Sequence, residues 1–109
     1  MKHTILILLN ATKHWLELSR ERRKQFFELE FIPIAAKFSD TINIRMFDSE
    51  AFHAKHSDFL LLEVRDLKDY YYFIEHLRDS KIYTIPYFEI NDIVVGLENG
   101  FQAFEHDMK

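Results

Sequence analysis

The sequence predicts one α+β domain of order β-α-β-β-α-β on a four-stranded antiparallel sheet, and three observations lead there. Apolar runs of strand length, such as Thr4-Ile5-Leu6-Ile7-Leu8-Leu9, alternate with stretches whose apolar residues recur at helical spacing. Ser19 and Asp66 stand where helix N-caps belong. At 109 residues the chain can bury one core but not two, so residues 1–109 are read as a single domain.

Each element has a local reason. The first strand runs from about Thr4 to Leu9 or Asn10, followed by a linker from Thr12 to Leu18 that contains Trp15. Ser19 caps a helix beginning at Arg20, with Glu21 in the first turn, where negative charge is favoured. Phe27, Phe31, Ile34 and Phe38 form its buried stripe. Pro33 lacks a backbone donor and clashes with the preceding turn, which predicts a kink or break near Phe31–Ile32. The second strand, Thr41 to Phe47, places Ile42, Ile44 and Met46 on one face. Asp48 to Ser57 is too long for a tight hairpin and is read as a loop with a helical turn capped by Asp48 or Ser49. Asp58 to Arg65 is the third strand. Asp66 then caps a second helix with Tyr70, Phe73, Ile74 and Leu77 inward. The last strand is expected from near Tyr83 to about Val95, with Asn91-Asp92 as an alternative turn that would split it into a hairpin. From Gly96 onward the tail reads as irregular, apart from a short element around Phe101–Phe104.

This order is the split βαβ arrangement of ferredoxin-like domains, in which both helices pack on one face of the sheet. The runs Ile5–Leu9 and Phe59–Leu62 are nevertheless apolar on both faces, as in a sheet covered on both sides. A second copy of the chain is the expected cover. Two such sheets face to face make a homodimer, a dimeric α+β barrel with a central cavity. Eleven Phe, five Tyr and one Trp exceed what a small core needs, and the surplus suits an interface or a pocket for a small apolar or aromatic molecule.

Composition removes several classes of function. A formal charge of −4 argues against general nucleic-acid binding, which depends on neutralising phosphates. The basic cluster Arg20, Arg22, Arg23 and Lys24 reads as a solvated helix start. The longest apolar run, Ile5 to Leu9, is far too short to span a membrane or to form a signal peptide. The sequence has no cysteine, which excludes disulfides and thiolate chemistry and is compatible with a cytoplasmic location. With Gly96 and Gly100 as the only glycines, there is no glycine-rich phosphate cradle.

The strand face opposite Ile42, Ile44 and Met46 offers the candidate chemistry. Arg45, Glu63, Tyr87 and Glu89 share parity there with Phe47, Phe59, Leu61 and Ile85. A carboxylate in an apolar barrel is costly unless paired, and burial raises its pKa toward a useful acid–base range. Glu63 or Glu89 then reads as a general base, with Tyr87 hydrogen-bonding a carbonyl or phenolate. Arg45 reads as Glu63's ion-pair partner or as an anchor for an anionic ligand. The plainer alternative is a cross-strand Arg45–Glu63 pair near a sheet edge with Glu89 solvated. His14 and Trp15 are expected at the pocket rim, and Phe52 and His53 as its lid or wall. His53 and His56 stand at i, i+3 with acidic neighbours, but a metal site needs a third ligand, so neither a metal nor a cofactor is assigned.

Phe47-Asp48-Ser49-Glu50-Ala51-Phe52 with Ser57-Asp58 resembles the darcynin family of small bacterial proteins. Tyr70-Tyr71, Leu77-Arg78-Asp79, Tyr87-Phe88-Glu89 and Glu98-Asn99-Gly100-Phe101 extend the resemblance over essentially the whole chain. It implies a ferredoxin-like, dimeric α+β barrel domain and brings no assigned activity, so no catalytic residue comes with it. The wider barrel superfamily includes cofactor-independent monooxygenases, lactone isomerases, haem-handling enzymes and ligand binders. A haem reading requires a cavity-facing histidine on the second helix, and His76, the candidate, is expected to face outward. The leading expectation is a pocket-bearing homodimer that binds a small apolar or aromatic molecule. The alternatives are a cofactor-independent oxygenase or isomerase acting on an aromatic or polyketide-like compound, and a non-catalytic protein–protein module.

Overall fold

The computed structural model describes residues 2–108. Strands β1 (His3–Ala11), β2 (Ile42–Asp48), β3 (Asp58–Val64) and β4 (Phe88–Leu97) form one antiparallel sheet in the order β2-β3-β1-β4. The helices are α1 (Lys13–Leu16), α2 (Arg20–Phe26), α3 (Ile32–Lys37), α4 (Leu67–Arg78), α5 (Lys81–Thr84) and α6 (Gly100–Asp107). The ferredoxin-like α+β architecture read from the sequence is the architecture of the chain.

Register assigns each side chain to a face. Ile5 opposes Leu62, and Ile7 opposes Leu60, across β1 and β3. All four are buried, with Val64, Ile42, Phe73 and Leu77 packed among them under the helices. The alternate residues Leu6, Leu8, Phe59 and Leu61 point to the other, open face, where they are half-buried by their neighbours alone. Phe47 stacks on Phe59 there, with ring centroids 4.7 Å apart.

Both caps form as expected. Arg22 N donates to Ser19 Oγ at 3.1 Å, and Lys68 N donates to Asp66 Oδ1 at 2.9 Å. Pro33 does not break the first long helix. Residues Phe27–Phe31 instead form a π-helical turn, in which Ile32 N donates to Phe27 O, five residues back. The wider turn suits a helix in which Pro33 cannot donate to the carbonyl of Leu29.

Four further expectations are corrected. The linker after β1 contains α1, because the Thr12 side chain caps it by accepting from Trp15 N. The last strand starts at Phe88 rather than Tyr83, because Ser80 caps α5: its Oγ accepts from Ile82 N at 3.2 Å and donates to Leu77 O at 2.6 Å. Asn91-Asp92 makes neither a turn nor a regular strand step. The register shifts there by one residue, so Ile90 and Ile93 fall on the same face. The tail is also more ordered than expected, since α6 is a regular helix of 8 residues.

Candidate functional site

A cavity of about 510 Å³ lies between the helical layer and the sheet. Ile7, Leu9, Leu60 and Ile90 form its floor, and Trp15, Phe26, Phe27 and Phe31 line it from the helices. The π-helical turn supplies Phe27 and Phe31, which stack with centroids 5.2 Å apart.

Trp15 is held by a set of long-range contacts. Thr12 N donates to Tyr87 O at 2.9 Å, and Thr12 Oγ1 donates to Pro86 O at 2.7 Å, tying the start of α1 to the entrance of β4. Arg23 Nε and Nη2 donate to Trp15 O at 3.2 Å and Leu16 O at 3.0 Å, bracing the C-terminal end of α1; Trp15 O also accepts from Leu18 N at 3.1 Å. The guanidinium also lies 5.9 Å from the centre of the indole. The indole meets Phe26, Tyr87 and Phe88 at centroid distances of 5.7, 5.4 and 5.0 Å. The result is an aromatic wall fixed by backbone hydrogen bonds.

The end of the cavity formed by the β2 and β3 strand ends is acidic. Asp48 and Asp58 are direct cross-strand partners, and Glu50 lies beside them in the lining. Ser57 Oγ accepts from Ala11 N and donates to Asp58 Oδ2, both at 2.7 Å. Burial raises the Asp58 pKa above its ordinary value; the adjacent Asp48 and Glu50 carboxylates push the same way, and the Ser57 hydroxyl opposes them. Such a carboxyl can hold a proton and hydrogen-bond the polar end of a ligand, or serve as a general acid.

Arg45, Glu63 and Glu89 do share one sheet face, but it is the open face, across the sheet from this cavity. Arg45 stands opposite Leu61 rather than Glu63, and its guanidinium lies 5.1 Å from the centre of the Phe47 ring. Glu63 Oε2 instead approaches Lys2 Nζ at 3.8 Å, and Glu89, opposite Asn10, is exposed. Tyr87 is not with them: it precedes β4 and is buried on the helix side, where its ring meets Trp15 and Phe26. Trp15 lines the cavity with its ring; Phe47 borders it at the strand end, while its ring stays on the open face against Phe59. His14 is exposed, as is Phe52, which is 90% accessible. His53 is exposed too; its Nδ1 accepts from Lys55 N and His56 N, and its ring stacks on His56. No group of three or more potential metal ligands occurs among the described residues. Asp58 and Asp48 acquire their place only through the β2–β3 register. Their signal in the sequence is a pair of aspartates bracketing one loop.

A family model described as "Darcynin, domain of unknown function" matches residues 2–106. The chain belongs to the darcynin family. It is 38% identical over 90 residues to Darcynin 1 of Acinetobacter baumannii, covering 83% of this chain and 99% of that relative. It is 41% identical over 73 residues to Darcynin of Chromobacterium violaceum, covering 67% of this chain and 91% of the relative. Among solved structures, this darcynin chain is similar to a heme-binding protein from Thermus thermophilus, with a TM-score of 0.79 at 14% identity over 94% of the chain. Chlorite dismutase from Candidatus Nitrospira defluvii gives a TM-score of 0.75 at 10% identity, also over 94%. The chain spans 43% and 46% of those two structures, and the likeness is one of fold. No helix among the described residues is long and apolar enough to cross a membrane.

Proposed function

We propose that this darcynin binds a small apolar or aromatic molecule between its helices and its sheet. The supporting observation is the cavity itself. Its volume of about 510 Å³ is in the range of small-molecule sites, and its lining is mostly aromatic and aliphatic with a few convergent polar groups. The ligand's polar end would meet the Asp48–Asp58 end.

One of the solved structures similar in fold is a heme-binding protein, and haem would need an axial ligand from this cavity's lining. The lining contains no histidine, cysteine or tyrosine. His76 is exposed on α4, with its ring against Phe38 at 5.5 Å. Met46 offers one thioether, but the aspartates beside it would lie against an anionic macrocycle. The lining does not fit haem.

Trp15 is the only tryptophan and lines the cavity, so its emission reports occupancy. Titration with the neutral probe N-phenyl-1-naphthylamine should quench it saturably, and Leu60→Phe, which fills the floor, should weaken binding at least tenfold. Native mass spectrometry of protein purified without added ligand should show a bound mass that is lost on unfolding. Absence of both saturable quenching and bound mass would exclude the reading.

Two further readings draw on particular observations. The place of Asp58 in the cavity lining, opposite Asp48 and hydrogen-bonded to Ser57, favours an enzyme in which this carboxyl is the acid–base group in place of Glu63 or Glu89. The apolar open face of Leu6, Leu8, Phe59 and Leu61 favours a sheet-to-sheet homodimer, with Arg45, Glu63 and Glu89 brought to that interface. Leu61→Glu should then dissociate the dimer in sedimentation velocity.

A further inference from the structure

The end of the chain contains a sheet segment with no helix over it and a helix with no sheet under it. On the helix-facing side of β4, Ile93, Val95 and Leu97 remain 37%, 46% and 41% exposed, although their β1 partners Ile7 and Ile5 are fully buried. Beyond them, Asn99 adopts the left-handed conformation (φ 51°) and turns the chain into α6. That helix does not fold back to cover the strand. Phe101, Phe104 and Met108, at i, i+3 and i+7, form one apolar stripe and stay 63%, 64% and 70% exposed. The outer edge of β4 is unpaired, and beyond the Asn91 bulge its last residues, Ile93 to Leu97, carry no charge and no proline. The molecule is correspondingly long, 57 × 31 × 18 Å.

We propose that this arm is exchanged between two copies of the chain: α6 of each lays its Phe101–Phe104–Met108 stripe over Ile93, Val95 and Leu97 of the other across a two-fold axis. Two observations select a second copy as the occupant. The unsatisfied surfaces are complementary in kind, an apolar helix and a bare apolar strand face, and each chain carries both, which is what an isologous interface requires. The area also suffices. With about 200 Å² for a phenylalanine side chain and somewhat less for the aliphatic ones, the six exposures leave roughly 600 Å² per chain. Two chains would bury about 1,200 Å², at the lower end of the standard range for a specific interface. The proposal rests on a homodimer, but not on the open sheet face forming it.

Sedimentation velocity of the full chain over a range of concentrations tests the proposal, alongside Phe101→Glu/Phe104→Glu and the open-face variant Leu61→Glu. The arm variant should raise the dimer dissociation constant at least a hundredfold while leaving circular dichroism and Trp15 emission unchanged. A wild-type monomer throughout would overturn both this proposal and the sheet-to-sheet reading. A dimer that resists the arm variant but yields to Leu61→Glu would overturn the exchange alone. Because the chain lacks cysteine, a second measurement needs no background correction. Under mild oxidation, a mixture of Val95→Cys and Phe104→Cys chains should form the mixed disulfide as its main cross-linked product, and its absence would refute the exchange even if the glutamate variant misfolded.

Discussion

Leu60 and Leu62 allow the cavity to be tested without a ligand. They lie two residues apart on β3, on the same face, and are 6% and 0% exposed. They differ in surroundings: Leu60 borders the cavity, whereas Leu62 is absent from its lining and is fully enclosed. Truncating a buried leucine to alanine costs about 2.7 to 5.0 kcal/mol, rising by about 24 cal/mol per Å³ of void left behind. That spread corresponds to about 100 Å³, close to what a truncated leucine leaves when nothing moves in. Leu62→Ala opens a sealed void and belongs near the top of the range. Leu60 already lacks packing partners on its cavity side, so Leu60→Ala forfeits fewer contacts and belongs near the bottom. We expect a gap of about 1 to 2 kcal/mol in urea unfolding with an unchanged m-value, or roughly 4 to 15 °C in Tm for a domain of this size. In protein that native mass spectrometry shows to be free of bound ligand, equal losses, or a larger loss at Leu60, would mean that side chains fill this space and would undo the binding proposal.

Other predictions concern the acidic end and the helix start. The Asp58 pKa is raised, so the folded chain keeps this proton at pH values where the unfolded chain, near 3.8, has released it. Stability from this group is therefore fully present below that value and falls as pH rises through the folded pKa. Asp58→Asn, which can still accept from Ser57 Oγ, should be more stable than wild type at neutral pH, with the difference vanishing toward pH 3.8. A difference that does not change with pH would contradict the assigned cause. Ser19→Ala should cost about 1 kcal/mol in chemical denaturation by freeing Arg22 N, and Ser19→Asp should restore it. A neutral Ser19→Ala would show that the cap is idle.

The elements that were legible in the sequence are those fixed by local chemistry. The apolar runs of β1 and β3 and the caps Ser19 and Asp66 are recognised from adjacent residues, without knowing what packs against them. The Tyr83–Ile85 stretch has strand-like composition, yet the Ser80 hydroxyl caps a helical turn there, which composition alone does not reveal. Parity correctly placed Arg45, Glu63 and Glu89 on one face, the last only because the Asn91 bulge does not intervene between Asn10 and Glu89. Parity says nothing about where the helical layer leaves a gap. That gap depends on how Trp15 and the Phe27–Phe31 turn stand above the sheet, a long-range outcome of the ties from Thr12 and Arg23. Asp58 stayed hidden for a similar reason, since only pairing sets it against Asp48.

The π-helical turn acts as a phase shifter. Phe26 and Phe31 are both buried although five residues separate them. On a regular α-helix, at 3.6 residues per turn, they would point about 140° apart. The turn absorbs one extra residue, so the apolar faces before and after it stay aligned. Deleting the exposed Leu29 would bring the two phenylalanines to an i, i+4 spacing, which an ordinary α-helix can bury on one side. The same deletion between Phe73 and Leu77 in α4 would rotate the helix beyond it by about 100° and carry Leu77 out of the core. The helix that roofs the cavity can thus change length by one residue where α4 cannot.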